Sequence, residues 1–224
     1  MSRGPAAKGR ALLFDLDGTL TDPRAGIVGC LRHALDRLGQ PCPDDEALAS
    51  FIGPPLRGTF ATLLGTREAP LIEEAIRLYR ERFGVVGLFE NRVYDGVPDM
   101  LERLRGAGRF LVVTSKMAEY AERIVRHFGL APHFVAVYGA EPAGRFDDKA
   151  ELVAHVLARE GLAPERTVMI GDRAFDVVAA RKNGLRAIGV LWGYGSEPEL
   201  RAAGAEALCP APAALPAALA RVLG

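Results

Sequence analysis

Ala11-Leu12-Leu13-Phe14-Asp15-Leu16-Asp17-Gly18-Thr19-Leu20-Thr21-Asp22 is the stretch on which the reading of this chain turns. Four apolar residues run into two carboxylates two positions apart, followed by a glycine and a pair of threonines. A short apolar run bounded by polar residues and glycine has the pattern of a strand buried on both faces. With a period of two, Asp15 and Asp17 leave that strand on the same side, and Gly18 lets the chain turn at the mouth of a sheet. Two carboxylates held so close repel each other unless something positive lies between them. A divalent cation with oxygen ligands answers that need.

Working outward, the next strand is Phe110-Leu111-Val112-Val113-Thr114-Ser115, roughly 90 residues on, far more than a strand-to-strand crossover requires. The segment between reads as helical. Asp22 and Pro23 cap a helix whose apolar stripe is Ile27, Cys30, Leu31, Ala34, Leu35 and Leu38, ended by Gly39. Further helices are expected at about 44–51, 55–64 and 70–84. The chain then alternates: helices at about 98–105, 118–128, 149–160 and 174–183, with strands at 134–138, 167–172 and 186–192. Leu215, Leu219 and Val222 suggest a closing helix in the Ala/Pro-rich end. Such alternation predicts an α/β fold, a doubly wound, Rossmann-like parallel sheet, with residues 1–21 and 93–224 as the core and 22–92 as an inserted helical domain.

In such sheets ligands bind beyond the carboxyl ends of the strands. There the sequence places Asp15 and Asp17, then Thr114, Ser115 and Lys116, then Lys149 at a helix start, and finally Asp172 and Asp176. Hydroxyls and a lysine suit a phosphoryl group, and the acids suit a hard cation. Thr114 and Ser115 also suit a helix cap, either Lys116 or Lys149 can serve the anion, and Asp176 can serve only the dipole of its helix.

Charge is balanced, with 28 basic and 28 acidic residues, so no global field draws the chain to nucleic acid or an anionic membrane. No apolar run approaches the ~18 residues of a membrane helix. Cys30, Cys42 and Cys209 have neither disulfide-framework nor zinc-site spacing. Met1–Arg10 is polar, lacks the apolar core of a signal peptide and reads as a tail, so the expectation is a cytoplasmic monomer or homodimer. His33, His127, His133 and His155 form no cluster.

The DxDGT stretch, the hydroxyl pair, the lysine and the Gly171-Asp172 strand end resemble, in order, the four motifs of the haloacid dehalogenase (HAD) superfamily. The similarity spans about residues 10–222. Phe51-Ile52-Gly53-Pro54-Pro55-Leu56, Val93-Tyr94-Asp95-Gly96-Val97 and Gly171-Asp172-Arg173-x-x-Asp176-Val177 look like the phosphoglycolate phosphatase/5′-nucleotidase-like branch, whose members carry a helical cap. The resemblance implies a magnesium-dependent phosphatase of a small phosphorylated metabolite. Asp15 is then the nucleophile that becomes an aspartyl phosphate, and Asp17 the acid–base partner. Thr114, Ser115 and Lys149 hold phosphoryl oxygens. Asp15, Asp172, Asp176 and the main-chain carbonyl of Asp17 hold Mg²⁺. At motif III the family often shows Lys-Pro, where this chain has Lys149-Ala150. In the cap, Arg57 is a candidate substrate contact, Thr21–Arg24 and Asn91–Gly96 are candidate hinges, and Gly193-Tyr194-Gly195 either lines the entrance or is a plain turn. A β-phosphoglucomutase-like phosphotransferase, a haloacid dehalogenase and a non-enzymatic phosphoryl-accepting module are the alternatives. Asp17 and Asp172 argue against the dehalogenase.

Overall fold

A computed structural model of the chain describes residues 9–142 and 144–223, so most of the expected tail, Met1–Arg10, lies outside the described residues. β1 (Ala11–Phe14) leads through the Asp15–Leu20 turn to a two-residue strand, β2 (Thr21–Asp22). Then come α1 (Arg24–Arg37), α2 (Asp45–Ala49), α3 (Leu56–Leu63) and α4 (Ala69–Arg82), before β3 (Arg92–Val93) brings the chain back. The remainder alternates: α5 (Val97–Arg103), β4 (Arg109–Met117), α6 (Ala118–His127), β5 (Ala136–Ala140), α7 (Lys149–Glu160), β6 (Thr167–Gly171), α8 (Ala174–Lys182), β7 (Arg186–Val190), α9 (Glu197–Ala203), β8 (Ala207–Cys209) and α10 (Leu215–Leu223).

Six strands form one parallel sheet in the order β5-β4-β1-β6-β7-β8, with β1 in the middle. Its side chains sort by the period of two. Leu12 and Phe14 join Val112, Val168 and Ile170 in the core under α1, α5 and α10, while Ala11 and Leu13 join Leu111, Val113 and Met169 under α7 and α8. Both faces are therefore sealed, which is why these strands are apolar throughout. Phe14 is wholly buried against the edges of Phe110 and Phe134, with centroids 5.6 and 5.8 Å away. Truncating it to alanine would cost about 3–5 kcal/mol.

Several elements differ from the sequence expectation. The strand expected at 134–138 runs from Ala136 to Ala140, because a turn at Ala131–His133 precedes it and Phe134 is drawn onto Phe14 instead. The helix expected over 70–84 ends at Arg82 and widens into a π-helical turn, Phe83–Gly87. α9 and β8 were not expected, although Ser196 caps α9 through Glu199, a local start signal. Within the candidate hinges Thr21–Arg24 and Asn91–Gly96, Thr21–Asp22 and Arg92–Val93 pair side by side as an antiparallel ribbon at the root of the helical insert. No described helix is long and apolar enough to cross a membrane.

Candidate active site

β1, β4 and β6 end together, so their carboxyl-edge residues meet. Asp15 follows β1 directly, its N–H bonded to the Ile170 carbonyl at 2.9 Å, which fixes its direction. Gly18, at φ +81°, then turns the chain back. A Cβ there would lie 2.2 Å from Asp172 Oδ2, so only glycine lets motif I close on β6.

Asp15, Asp172 and Asp176 are all buried, and one carboxylate oxygen from each lies within 4.8 Å of the others. Lys149, the first residue of α7 behind the Asp148 cap, sits among them. Its Nζ is 3.0 Å from Asp15 Oδ1 and in contact with Asp176 Oδ1. Among the described residues the Lys149 ammonium is thus the polar group held against both Oδ1 atoms. Burial pushes Asp172 well above the usual carboxylate range, helped by Asp176 and Asp15. Asp176 rises to about 6 by burial, against the pull of Lys149. Lys149 feels burial first, which would lower it, but Asp15 and Asp176 outweigh that and hold it charged.

Asp17 faces a different cation. Lys116 Nζ lies 2.8 Å from Asp17 Oδ2 and 4.3 Å from the centroid of the Phe83 ring, on the insert. Burial raises the Asp17 carboxyl, with Lys116 offsetting part of the rise. The rival lysines thus divide the two carboxylates of motif I between them. Thr114 is buried within β4 and accepts from the Lys116 N–H at 3.3 Å, while the N-cap of α6 is Met117, which gives no side-chain cap. The capping alternative for Thr114 and Ser115 is therefore not what the chain does.

A cleft of about 90 Å³ opens above these groups. Asp15, Asp17, Thr114, Ser115 and Lys116 line its core wall; Phe51, Arg57, Tyr79 and Phe83 line the opposite wall. Lys149, Asp172 and Asp176 lie beneath Asp15 rather than on the wall. Arg57 reaches Asp147 of the core at 2.7 Å and Glu73 of α4 at 2.7 Å, so it is committed to two acids. The Gly193-Tyr194-Gly195 segment is more than a turn, since the Tyr194 N–H donates to Asp172 Oδ2 at 2.8 Å. Sequence reasoning also passed over Thr19, whose hydroxyl donates to Asp172 Oδ1 at 3.2 Å. It stands inside motif I, so its position was the available signal. Arg173 was read only as part of a motif, yet its side chain spans from Glu199 to the Ile52 carbonyl of the insert.

A profile of haloacid dehalogenase-like hydrolases matches residues 12–190. The chain belongs to that family. A 5′-nucleotidase of Pseudomonas aeruginosa is 53% identical over 192 residues, 85% of this chain and 86% of the relative. The tyrosine-protein kinase PtkA of Mycobacterium tuberculosis is 42% identical over 192 residues, 85% of this chain but only 65% of that longer protein. Among solved structures, one described as a predicted phosphatase from Clostridium acetobutylicum superposes with a TM-score of 0.91 at 34% identity, covering 95% of this chain and 99% of the other. Within its family the chain is a hydrolase of the phosphatase type. Hydrolases of this family generally use a divalent metal, and this chain has the buried acidic cluster to match.

Proposed function

We propose that this protein hydrolyses a small phosphomonoester through an aspartyl phosphate on Asp15, with Mg²⁺ as cofactor. One observation carries the reading: four carboxylates and two lysines converge at one sheet edge, under a cleft, with two negative charges left over when all four acids are ionised. That excess is what a divalent cation offsets. The donors fit, being hard carboxylate oxygens from Asp15, Asp172 and Asp176, buried and within 4.8 Å of one another. When bound, the cation supplies charge that lessens repulsion between the anionic nucleophile and the phosphoryl group.

Asp15 attacks phosphorus in line, and the bond to the leaving oxygen breaks. Asp17, raised by burial, protonates that oxygen and then takes the proton of the hydrolytic water. Lys149 stands 3.0 Å from Asp15 Oδ1, so a phosphoryl carried by Asp15 has its oxygens beside that ammonium. Thr114 and Ser115 supply donors from β4. The insert acts as a cap that excludes water, and the β2–β3 ribbon is its hinge.

The cleft holds roughly half a dozen waters, which suits a phosphoryl group on a leaving group of a few heavy atoms. A nucleoside monophosphate needs the cap swung away. The partner is a small phosphorylated metabolite, phosphoglycolate-like with the cap as it stands or a nucleoside monophosphate with the cap open. The test is phosphate release from phosphoglycolate, nucleoside monophosphates, sugar phosphates and p-nitrophenyl phosphate, with Mg²⁺ and with EDTA. Magnesium-dependent release that Asp15→Asn abolishes is expected. Release that survives EDTA, or that Asp15→Asn retains, would overturn the mechanism.

A further inference from the structure

The segment after β7 does something that motif reading leaves unassigned. Trp192 Nε1 donates to the Thr19 carbonyl at 2.9 Å, and the Thr19 hydroxyl donates to Asp172 Oδ1. The Tyr194 N–H donates to the other oxygen, Oδ2, so both oxygens of Asp172 are oriented by groups that this segment supplies or anchors. The approach is too close for side chains at the flanking positions. A Cβ at Gly193 would lie 2.5 Å from Asp172 Oδ2, and one at Gly195 only 1.8 Å from the Asp172 carbonyl oxygen.

The same tyrosine faces the other way with its ring. Its hydroxyl donates to Asp22 Oδ1. Asp22 belongs to β2, the strand by which the chain leaves the core. There Asp22 also accepts from the Arg24 N–H at the start of α1 and from Arg92 of β3, the returning strand. Tyr194 therefore touches the Asp172 carboxylate with its backbone and the root of the helical insert, at Asp22, with its side chain.

We infer that Tyr194 is a positioning residue: its hydroxyl, anchored on Asp22, holds the loop that aims Asp172, so that cation binding and the placement of the insert are linked. This rests on the reading that Asp15, Asp172 and Asp176 hold a divalent cation. The physical basis is that groups which orient a metal-holding carboxylate set its affinity, although they touch no metal. Linkage is reciprocal: whatever displaces β2 loosens Asp172, and a cation on Asp172 steadies β2.

Tyr194→Phe removes one oxygen and leaves the backbone N–H in place. Mn²⁺ binding to the full chain, followed by the loss of the free-ion paramagnetic resonance signal, gives affinity without turnover. Wild type, Tyr194→Phe, Asp22→Ala, the double variant and Asp172→Asn are compared, with melting temperature measured on each. Tyr194→Phe is expected to bind Mn²⁺ about 3- to 10-fold more weakly, at or below the roughly 10-fold that losing a directly orienting group costs, because the hydroxyl acts on Asp172 through the loop. The double variant is expected to bind no more weakly than Asp22→Ala alone, because one interaction has been removed twice. Should Asp22→Ala not fold, Tyr194→Phe decides by itself. Affinity within about 2-fold of wild type in Tyr194→Phe, with binding lost in Asp172→Asn, overturns the positioning role and leaves the cation site standing. A lowered melting temperature without an affinity change, or additive single variants, overturns it as well. No Mn²⁺ binding by wild type, or binding indifferent to Asp172→Asn, removes the cation reading and this inference with it.

Discussion

The two walls of the cleft are built differently. On the core wall the two carboxylates of motif I, Asp15 and Asp17, follow the end of β1 and are buried, and the Asp15 N–H is fixed on the Ile170 carbonyl. On the insert's wall the principal cation, Arg57, is about one-third exposed and held only by side chains, Glu73 and Asp147. The rings of Tyr79 and Phe83, stacked with centroids 5.2 Å apart, line the same wall. Burial makes the core wall's electrostatics strong and its geometry rigid. Exposure makes the opposite wall adjustable, since solvent competes with each ion pair. On the proposed function, chemistry falls to the buried wall and substrate selection to the exposed one.

The sharpest way to break this contrast is at Asp15. Asp15→Asn keeps the shape but removes the nucleophile, and turnover should fall by on the order of 10⁴-fold or more in a steady-state assay, with the melting temperature little changed. Asp17→Asn should lower kcat by roughly 10²–10⁴-fold, and leaving groups of lower pKa should recover much of it because they need no proton. Equal losses for good and poor leaving groups would contradict the acid role.

Protonation sharpens the comparison further. In metal-free protein Asp176 is raised to about 6, whereas an unfolded aspartate titrates near ~3.9. Between those values the folded chain binds the proton more tightly, so this group's contribution to stability falls as pH rises from about 4 to about 6. A divalent cation needs the ionised form, so the increase in melting temperature that Mg²⁺ produces should grow as pH climbs through about 6. Calorimetric scans with and without Mg²⁺ across that window would show it, and Asp176→Asn should flatten the trend. A Mg²⁺ effect that shrinks with rising pH would contradict the site. The smallest effect is expected at Arg57. Arg57→Ala should raise KM by about 2- to 5-fold and leave kcat nearly unchanged, because an exposed pair contributes little. A loss confined to kcat would move Arg57 to the core side of the contrast.

Much of the core wall was legible in the chain itself. Ala11–Asp17 announces a buried strand ending in acids because both faces of β1 are covered, which removes the alternation of a surface strand. Lys149 and Asp172 were readable as strand-end and helix-start residues. The choice between Lys149 and Lys116 was not, because each lies near motif I only after the sheet orders β4, β1 and β6 side by side. Spacing also could not show that Tyr194 bonds Asp172 across 22 residues and Asp22 across 172. β8 escaped because three residues carry too little periodicity to register.

By itself, the sequence determined the parallel α/β architecture, the interruption of that alternation by a helical insert, and the set of acids, hydroxyls and lysines at the carboxyl edge. Those are local consequences of side-chain period, capping and chain turns, which act over a few residues. Only the tertiary structure decided which lysine meets which carboxylate, that Arg57 is held between Glu73 and Asp147, and that one tyrosine joins the root of the insert to Asp172. These depend on burial and on distances between segments far apart in the chain, and such quantities exist only once the sheet has closed.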